Sequence, residues 1–266
     1  MINFPTKLPS RLAALLGAAA LSACGGGVGQ TGNEDAGSVA GIYQGLLVSN
    51  GASYQLVGLV DANGNARFVE STTGTPLALI VPSAPLAPST NGAFTLGFTA
   101  LALNDTVLDN GASSETGTIT GTVVTGDSIQ GSFTDSGEQT GTVTLNFDSA
   151  DYDRPAALTI IGPIAYGFSY VSGGQTYTGS IVISNTGSFT GTDTQNCQYN
   201  GSVSVPNPAR NLYAVTINDS CSSGGTLSGL GTFFPATSTQ PAKFEVAANN
   251  SSFGIATVLT ATGAAP

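Results

Sequence analysis

The feature that most constrains this chain is a period of two with glycine written into it. In residues 117–124, Gly-Thr-Ile-Thr-Gly-Thr-Val-Val, threonine recurs at 118, 120 and 122 while Gly117, Ile119, Gly121 and Val123 take the alternate positions. Successive side chains of a strand point to opposite faces, so the run carries a hydroxyl face and a small, apolar face. Residues 141–147 follow the same scheme. Glycine at intervals lets a sheet bend, which suits a curved antiparallel sheet. No stretch after residue 24 carries a helical apolar stripe of useful length. The expected fold is all-β and antiparallel, in barrel-like or sandwich-like modules, with barrels preferred because closure removes exposed edges.

Read in order, residues 39–148 form an N-terminal β module. Strands are expected near 41–48, 54–60 and 66–70, with Asn50-Gly51 as a turn and Asn63-Gly64 as a two-residue hairpin turn requiring positive φ. Residues 76–88 hold Pro76, Pro82, Pro85 and Pro88 and read as a long loop or edge. Pairing resumes over 92–103. Residues 149–156, Ser-Ala-Asp-Tyr-Asp-Arg-Pro-Ala, break the pattern and read as a solvated charged junction in which Asp153 meets Arg154. Residues 157–266 then echo the first half: Gly187-Ser188-Phe189-Thr190 matches Gly131-Ser132-Phe133-Thr134, and an aromatic near glycine recurs at Tyr177-Thr178-Gly179 and Tyr199-Asn200-Gly201. The spacing is not fixed, so these are similar β modules and not a solenoid.

Residues 1–23 have a different character. Lys7 and Arg11 precede a ten-residue apolar run over 12–21, about half of the roughly twenty residues that a membrane-spanning helix needs. The run ends in Leu21-Ser22-Ala23-Cys24, which resembles the lipobox of bacterial lipoproteins at all four positions. The resemblance implies cleavage between Ala23 and Cys24, acylation of Cys24 and a lipid bilayer as partner of its acyl chains. With Gly25 next to the cysteine it also implies the outer membrane of a Gram-negative bacterium. Residues 24–38, rich in glycine, read as a flexible tether with ends about 20 Å apart. Lipobox, tether and Gly-x-aromatic modules together resemble Gly-rich outer-membrane lipoproteins. They are loosely similar to the β-barrel lobes of transferrin-binding-protein-like surface lipoproteins, which implies a binding or surface role without naming a partner.

Beyond residue 23 the chain keeps four basic residues, Arg67, Arg154, Arg210 and Lys243, against sixteen acidic ones, a net charge of −12. No basic stripe is available to neutralise phosphates, which argues against nucleic acid as a partner. With Cys24 lipidated, Cys197 and Cys221 remain as an even pair in an exported chain and are expected to form a disulfide. Free thiols or a metal pair are the weaker readings, since two cysteines without histidine do not complete a closed zinc site.

The chain has no histidine, which removes Ser-His-Asp and Cys-His catalysis and histidine-bound metals. No catalytic set, metal site or cofactor is expected. A carboxylate hydrolase is the remaining enzymatic alternative, built from Glu70, Glu115, Glu138, Asp127 or Asp193. Tyr199 and Tyr213, beside the expected disulfide, form a candidate recognition patch. The favoured role is a non-enzymatic, membrane-anchored binding module for a protein, glycan or small ligand, with a structural envelope component as the alternative.

Overall fold

The computed structural model describes residues 38–108, 110–221 and 225–262. The expected signal segment, the cleavage position at Ala23 and Cys24, and the tether up to residue 37 lie outside the described residues. The rest is two closed antiparallel barrels of eight strands each, packed into one compact unit. Barrel 1 consists of β1 Gly41–Ser49, β2 Ala52–Val60, β3 Ala66–Thr72, β4 Thr75–Pro82, β5 Ala93–Ala102, β6 Ser114–Val124, β7 Ser128–Asp135 and β8 Thr140–Phe147. Barrel 2 consists of β9 Ile164–Ser172, β10 Gln175–Ile183, β11 Ser188–Asp193, β12 Gln198–Ser204, β13 Tyr213–Asp219, β14 Leu227–Phe234, β15 Lys243–Asn249 and β16 Gly254–Ala261.

Each barrel runs up and down in chain order, but the two close differently. Strand β1 meets β8 along seven residue pairs, from Tyr43 opposite Phe147 to Ser49 opposite Gly141. Strand β9 meets β16 at only two pairs, Gly167 with Thr260 and Tyr166 with Ala261. The second barrel is therefore sealed at one end of its seam and splayed at the other.

The alternation seen in sequence is the barrel wall. Thr116, Thr118 and Thr120 face solvent while Glu115, Gly117 and Ile119 turn inward. The recurring glycine and aromatic residues meet across neighbouring strands. Gly58 lies opposite Phe68, Gly117 opposite Phe98, Gly141 opposite Phe133, Gly179 opposite Phe168 and Gly201 opposite Phe189. In each pair the ring lies over the glycine: a Cβ built on Gly179 would sit 2.3 Å from the Phe168 ring. An eight-stranded barrel is only just wide enough for its own side chains, so each inward phenylalanine needs a neighbour with none.

Three expectations are corrected. Residues 75–82 are not loop or edge but strand β4, bonded to β3 and β5 on its two sides. Pro76 and Pro82 are tolerated because they fall at the strand's two ends, with a register shift in β3 beside Pro76. Pro85 and Pro88 do lie in the loop that follows, which carries buried Leu86 into the base of barrel 1.

The second correction concerns Asn63-Gly64. The amide of Asp61 donates to the Asn65 carbonyl at 3.0 Å and only Gly64 in this turn has positive φ, so the loop has three residues with a bulge. The carboxylate of Asp61 accepts the amides of Asn63 and Asn65, each at 2.9 Å. Asp135 and Asp193 open turns of the same design, with Glu138 and Asn196 in the left-handed position. The two-residue type does occur, at Asn50-Gly51 and Gly173-Gly174, where both residues have positive φ.

The third concerns the junction, which is a packed clasp. Helix α1, Ser149–Tyr152, is capped by Asp148, whose carboxylate accepts the Asp151 amide at 3.0 Å. Tyr152 is buried edge-on against Phe147. Arg154 pairs with Asp151 at 2.9 Å, not with Asp153, and donates to the Phe233 carbonyl at 2.6 Å; Asp153 accepts Arg210. Asp151 is a local partner three residues back, whereas Phe233 and Arg210 come from the second half of the chain, which local spacing does not reveal. Around the clasp, Ile42, Leu59, Leu212 and Leu230 form one apolar seam between the barrels, and Leu79, Leu101, Leu103 and Ala247 form another.

Candidate functional site

The interiors of the two barrels differ. Barrel 2 is filled: Tyr166, Phe189, Tyr213, Phe233 and Phe244 pack together with Ile161 from helix α2, Leu158–Ile161, which plugs its base. The space left inside is about 60 Å³. Barrel 1 keeps a cavity of about 250 Å³ that runs from Leu86 and Ile129 near the base to Glu70, Glu115 and Asp135 at the other end. Its wall between those ends is apolar, with Leu56, Phe68, Ile80, Leu96, Phe98 and Leu145 among its residues. A cavity of about 150 Å³ suffices for benzene, so this one takes roughly ten carbon atoms.

The polar end of the cavity is set by strand alternation. Glu70 is the inward residue of β3 two positions beyond Phe68, and Glu115 is the inward residue of β6 two positions before Gly117. Strands β4 and β5 lie between them. Ser49, Tyr54 and Thr106 complete this end with hydroxyls. Thr106, Val107 and Leu108, in the loop that follows β5, also line the cavity. Thr106 ties the loop down, its hydroxyl donating to the Leu77 carbonyl at 2.7 Å, and Val107 forms the lip with 68% of its surface exposed. No Lys or Arg lines the cavity among the described residues.

The same loop reaches the splayed seam of barrel 2. Asn104 and Asp105 both adopt left-handed φ, 52° and 58°. Asn104 Oδ1 accepts the Val171 amide at 3.2 Å, and Asp105 accepts the Gly174 amide at 2.6 Å. Between this loop, β9 and β16 lies a cleft of about 560 Å³, lined in part by Phe168, Tyr170, Tyr199, Phe253 and the disulfide.

Cys197 and Cys221 are bonded, with Cα atoms 5.4 Å apart, joining the start of β12 to the end of β13. A carboxylate oxygen of Asp219 lies within 4.8 Å of both sulfurs, but sulfurs spent in a disulfide are not thiolate ligands. The two tyrosines of the candidate patch are not brought together on a surface. Tyr213 is fully buried in the core of barrel 2. Tyr199 stands near the mouth, and its hydroxyl donates to Asp193 Oδ2 at 2.7 Å. Both are inward positions of their strands, six residues apart along the barrel: Tyr199 is level with Asp219, whereas Tyr213 opens β13.

Asp193 is the centre of a network that sequence reasoning did not find. Besides Tyr199, Tyr170 donates to its Oδ2 at 2.6 Å, while the amides of Gln195 and Cys197 donate to Oδ1. Burial pushes its carboxyl up, but the hydrogen bonds outweigh burial and hold it below the usual carboxylate range. Burial and the Asp193 contact push the Tyr170 phenol up to about 12 and the Tyr199 phenol higher still.

Of the five carboxylates proposed for hydrolysis, Glu70 and Glu115 line the barrel 1 cavity, whereas Asp193 belongs to barrel 2. Glu138 sits in the β7–β8 turn and Asp127 in the turn between β6 and β7, at the base. No protein-family model matches the chain, and no curated protein matches it. The reading of its role therefore rests on geometry. The hollow of barrel 1 had no sequence signal, because Leu, Ile and Phe on inward faces fit a filled barrel as well as an empty one.

Proposed function

We propose that the protein is a lipid-anchored envelope lipoprotein, held through Cys24, whose first barrel binds a small apolar ligand and does no chemistry on it. The observation that carries this reading is the apolar cavity of about 250 Å³ in one barrel beside a packed second barrel. Pockets that bind small molecules are concave, mostly apolar and furnished with a few polar groups that fix orientation, which describes this cavity. The lipobox-like Leu21-Ser22-Ala23-Cys24 supports the lipid anchor, and Gly25 after the cysteine supports the outer membrane as its place. The second barrel then serves as a rigid support, joined to the first by the Tyr152 clasp.

The experiment is titration of the full chain carrying Cys24→Ala with N-phenyl-1-naphthylamine, a neutral apolar fluorophore. The variant removes the anchor so that no detergent competes for the cavity. Saturable fluorescence at one probe per chain, lost when Leu96→Trp fills the cavity, is expected. Absence of saturable binding, or binding indifferent to Leu96→Trp in a folded chain, overturns the cavity as the site. The anchor is tested separately, by labelling wild type and Cys24→Ala in cells with a clickable fatty acid. Label on the wild type alone is expected, and none on either removes the lipoprotein reading.

A further inference from the structure

We infer that the barrel 1 cavity selects an amphiphile with a cationic head and an aliphatic tail of roughly ten carbons, such as a primary alkylamine. This rests on the proposal that the cavity is a ligand site and adds the chemical class of the ligand. The tail length follows from the volume, since about 150 Å³ holds the six carbons of benzene and this cavity has about 250 Å³. The wall along the tail is hydrocarbon, with Leu96, Phe98, Ile129, Val143 and Leu145 as examples.

The head group follows from what stands at one end only. Glu70, Glu115 and Asp135 all line that end, and their inward positions fall on three different strands, β3, β6 and β7. Asp135 spends Oδ1 on the amides of Gly137 and Gln139, which fixes the carboxylate in place. The hydroxyl of Ser49 stands at the same end as an acceptor for an ammonium proton. No Lys or Arg side chain lines the cavity among the described residues, so a fatty-acid carboxylate placed there meets acidic side chains and no basic one. A cationic head meets acids in a partly desolvated setting, where Coulomb attraction exceeds its value in water. The acidic balance of the chain, −12 beyond residue 23, also steers cations toward it. The exposed lip at Val107 gives the first methylenes an apolar contact as the tail enters.

The test is displacement of N-phenyl-1-naphthylamine from the full chain carrying Cys24→Ala by decylamine, decanol and decanoate at neutral pH and low salt. Decylamine is expected to bind at least about tenfold more tightly than decanol, and decanoate more weakly than either. Glu70→Gln and Glu115→Gln are each expected to narrow the ratio of amine to alcohol, as is raised salt. If decanoate equals or exceeds decylamine, or if the amine has no advantage over the alcohol, the head-group inference is overturned while the cavity reading stands. If none of the three displaces the probe, or the probe never binds, the ligand site itself is lost. The order of the three ligands is measured on one folded chain and needs no acidic-residue variant, so misfolding of Glu70→Gln or Glu115→Gln does not change the outcome.

Discussion

The Tyr199 hydroxyl lies 2.7 Å from Oδ2 of Asp193, and that single carboxylate oxygen also receives the Tyr170 hydroxyl at 2.6 Å. Two aromatic side chains from β9 and β12 are thereby fixed to the end of β11 beside the disulfide. Asp193→Ala removes the acceptor for both phenols and for the Gln195 and Cys197 amides. A loss of about 2 to 4 kcal/mol is expected, because buried donors left without acceptors cost more than an average hydrogen bond contributes. Urea unfolding of the variant checks it, and a change under about 1 kcal/mol counts against the network as a stabilising unit.

Reduction of Cys197–Cys221 is expected to cost roughly 3 kcal/mol in the chain-entropy model, for a separation of 24 residues. Urea midpoints with and without reductant measure this. Intact-mass analysis should find neither cysteine alkylated until reductant is added.

Stability should fall on the alkaline side of pH 10. Burial holds the phenols of Tyr43 and Tyr170 at about 12 in the folded chain, against 10 for the free group. Between these values the unfolded chain releases protons that the folded one keeps, so unfolding free energy declines as pH rises. Stability is unaffected by these groups below pH 10. Denaturation midpoints at pH 9, 10, 11 and 12 test the window, and a flat profile from 10 to 12 contradicts it.

Asn104 holds the splayed seam. Its Nδ2 donates to the Pro76 carbonyl at 3.0 Å while its Oδ1 accepts from Val171, and its backbone is left-handed. Asn104→Ala loses both bonds and places a residue poorly suited to positive φ, so about 1 to 3 kcal/mol is expected. The specific sign is faster hydrogen exchange at Val171 with little change in barrel 1 strands such as β7. Uniform acceleration across the chain points instead to global destabilisation.

Gly141→Ala should destabilise barrel 1 strongly. The added Cβ would stand 2.2 Å from the Val48 carbonyl oxygen and 2.5 Å from the Phe133 ring, at the seam where β1 meets β8. Over-packing of this kind costs about 1 to 3 kcal/mol. Thermal melting is the readout, and an unchanged midpoint would show that the seam can open to admit a methyl group.

The strands themselves were legible in the sequence because their information is local. Alternation of threonine with glycine and apolar residues in β6 and β8 needs only the two-residue period of a strand, and Asn50-Gly51 needs only its own backbone preference. The pairing of Cys197 with Cys221 came from arithmetic on three cysteines and was borne out. The prolines of β4 misled because their cost depends on whether they fall at a strand's ends, and that depends on neighbours in the sheet. Asp153 beside Arg154 misled because Arg154 turns to Asp151, three residues back in helix α1, while Asp153 takes a partner from far along the chain, Arg210.

What the sequence determined alone is therefore the period, the turns, the acidic balance and the even cysteine pair, all of which depend on a few adjacent residues or on counting. What only tertiary structure decided is which inward faces meet. The rings of Phe189, Tyr213, Phe233 and Phe244 close up barrel 2, while the same kinds of residue around barrel 1 leave a hollow between Ile129 and Glu115. Packing is a property of the sum of side-chain volumes against the barrel's bore, and that comparison does not exist until the strands have closed.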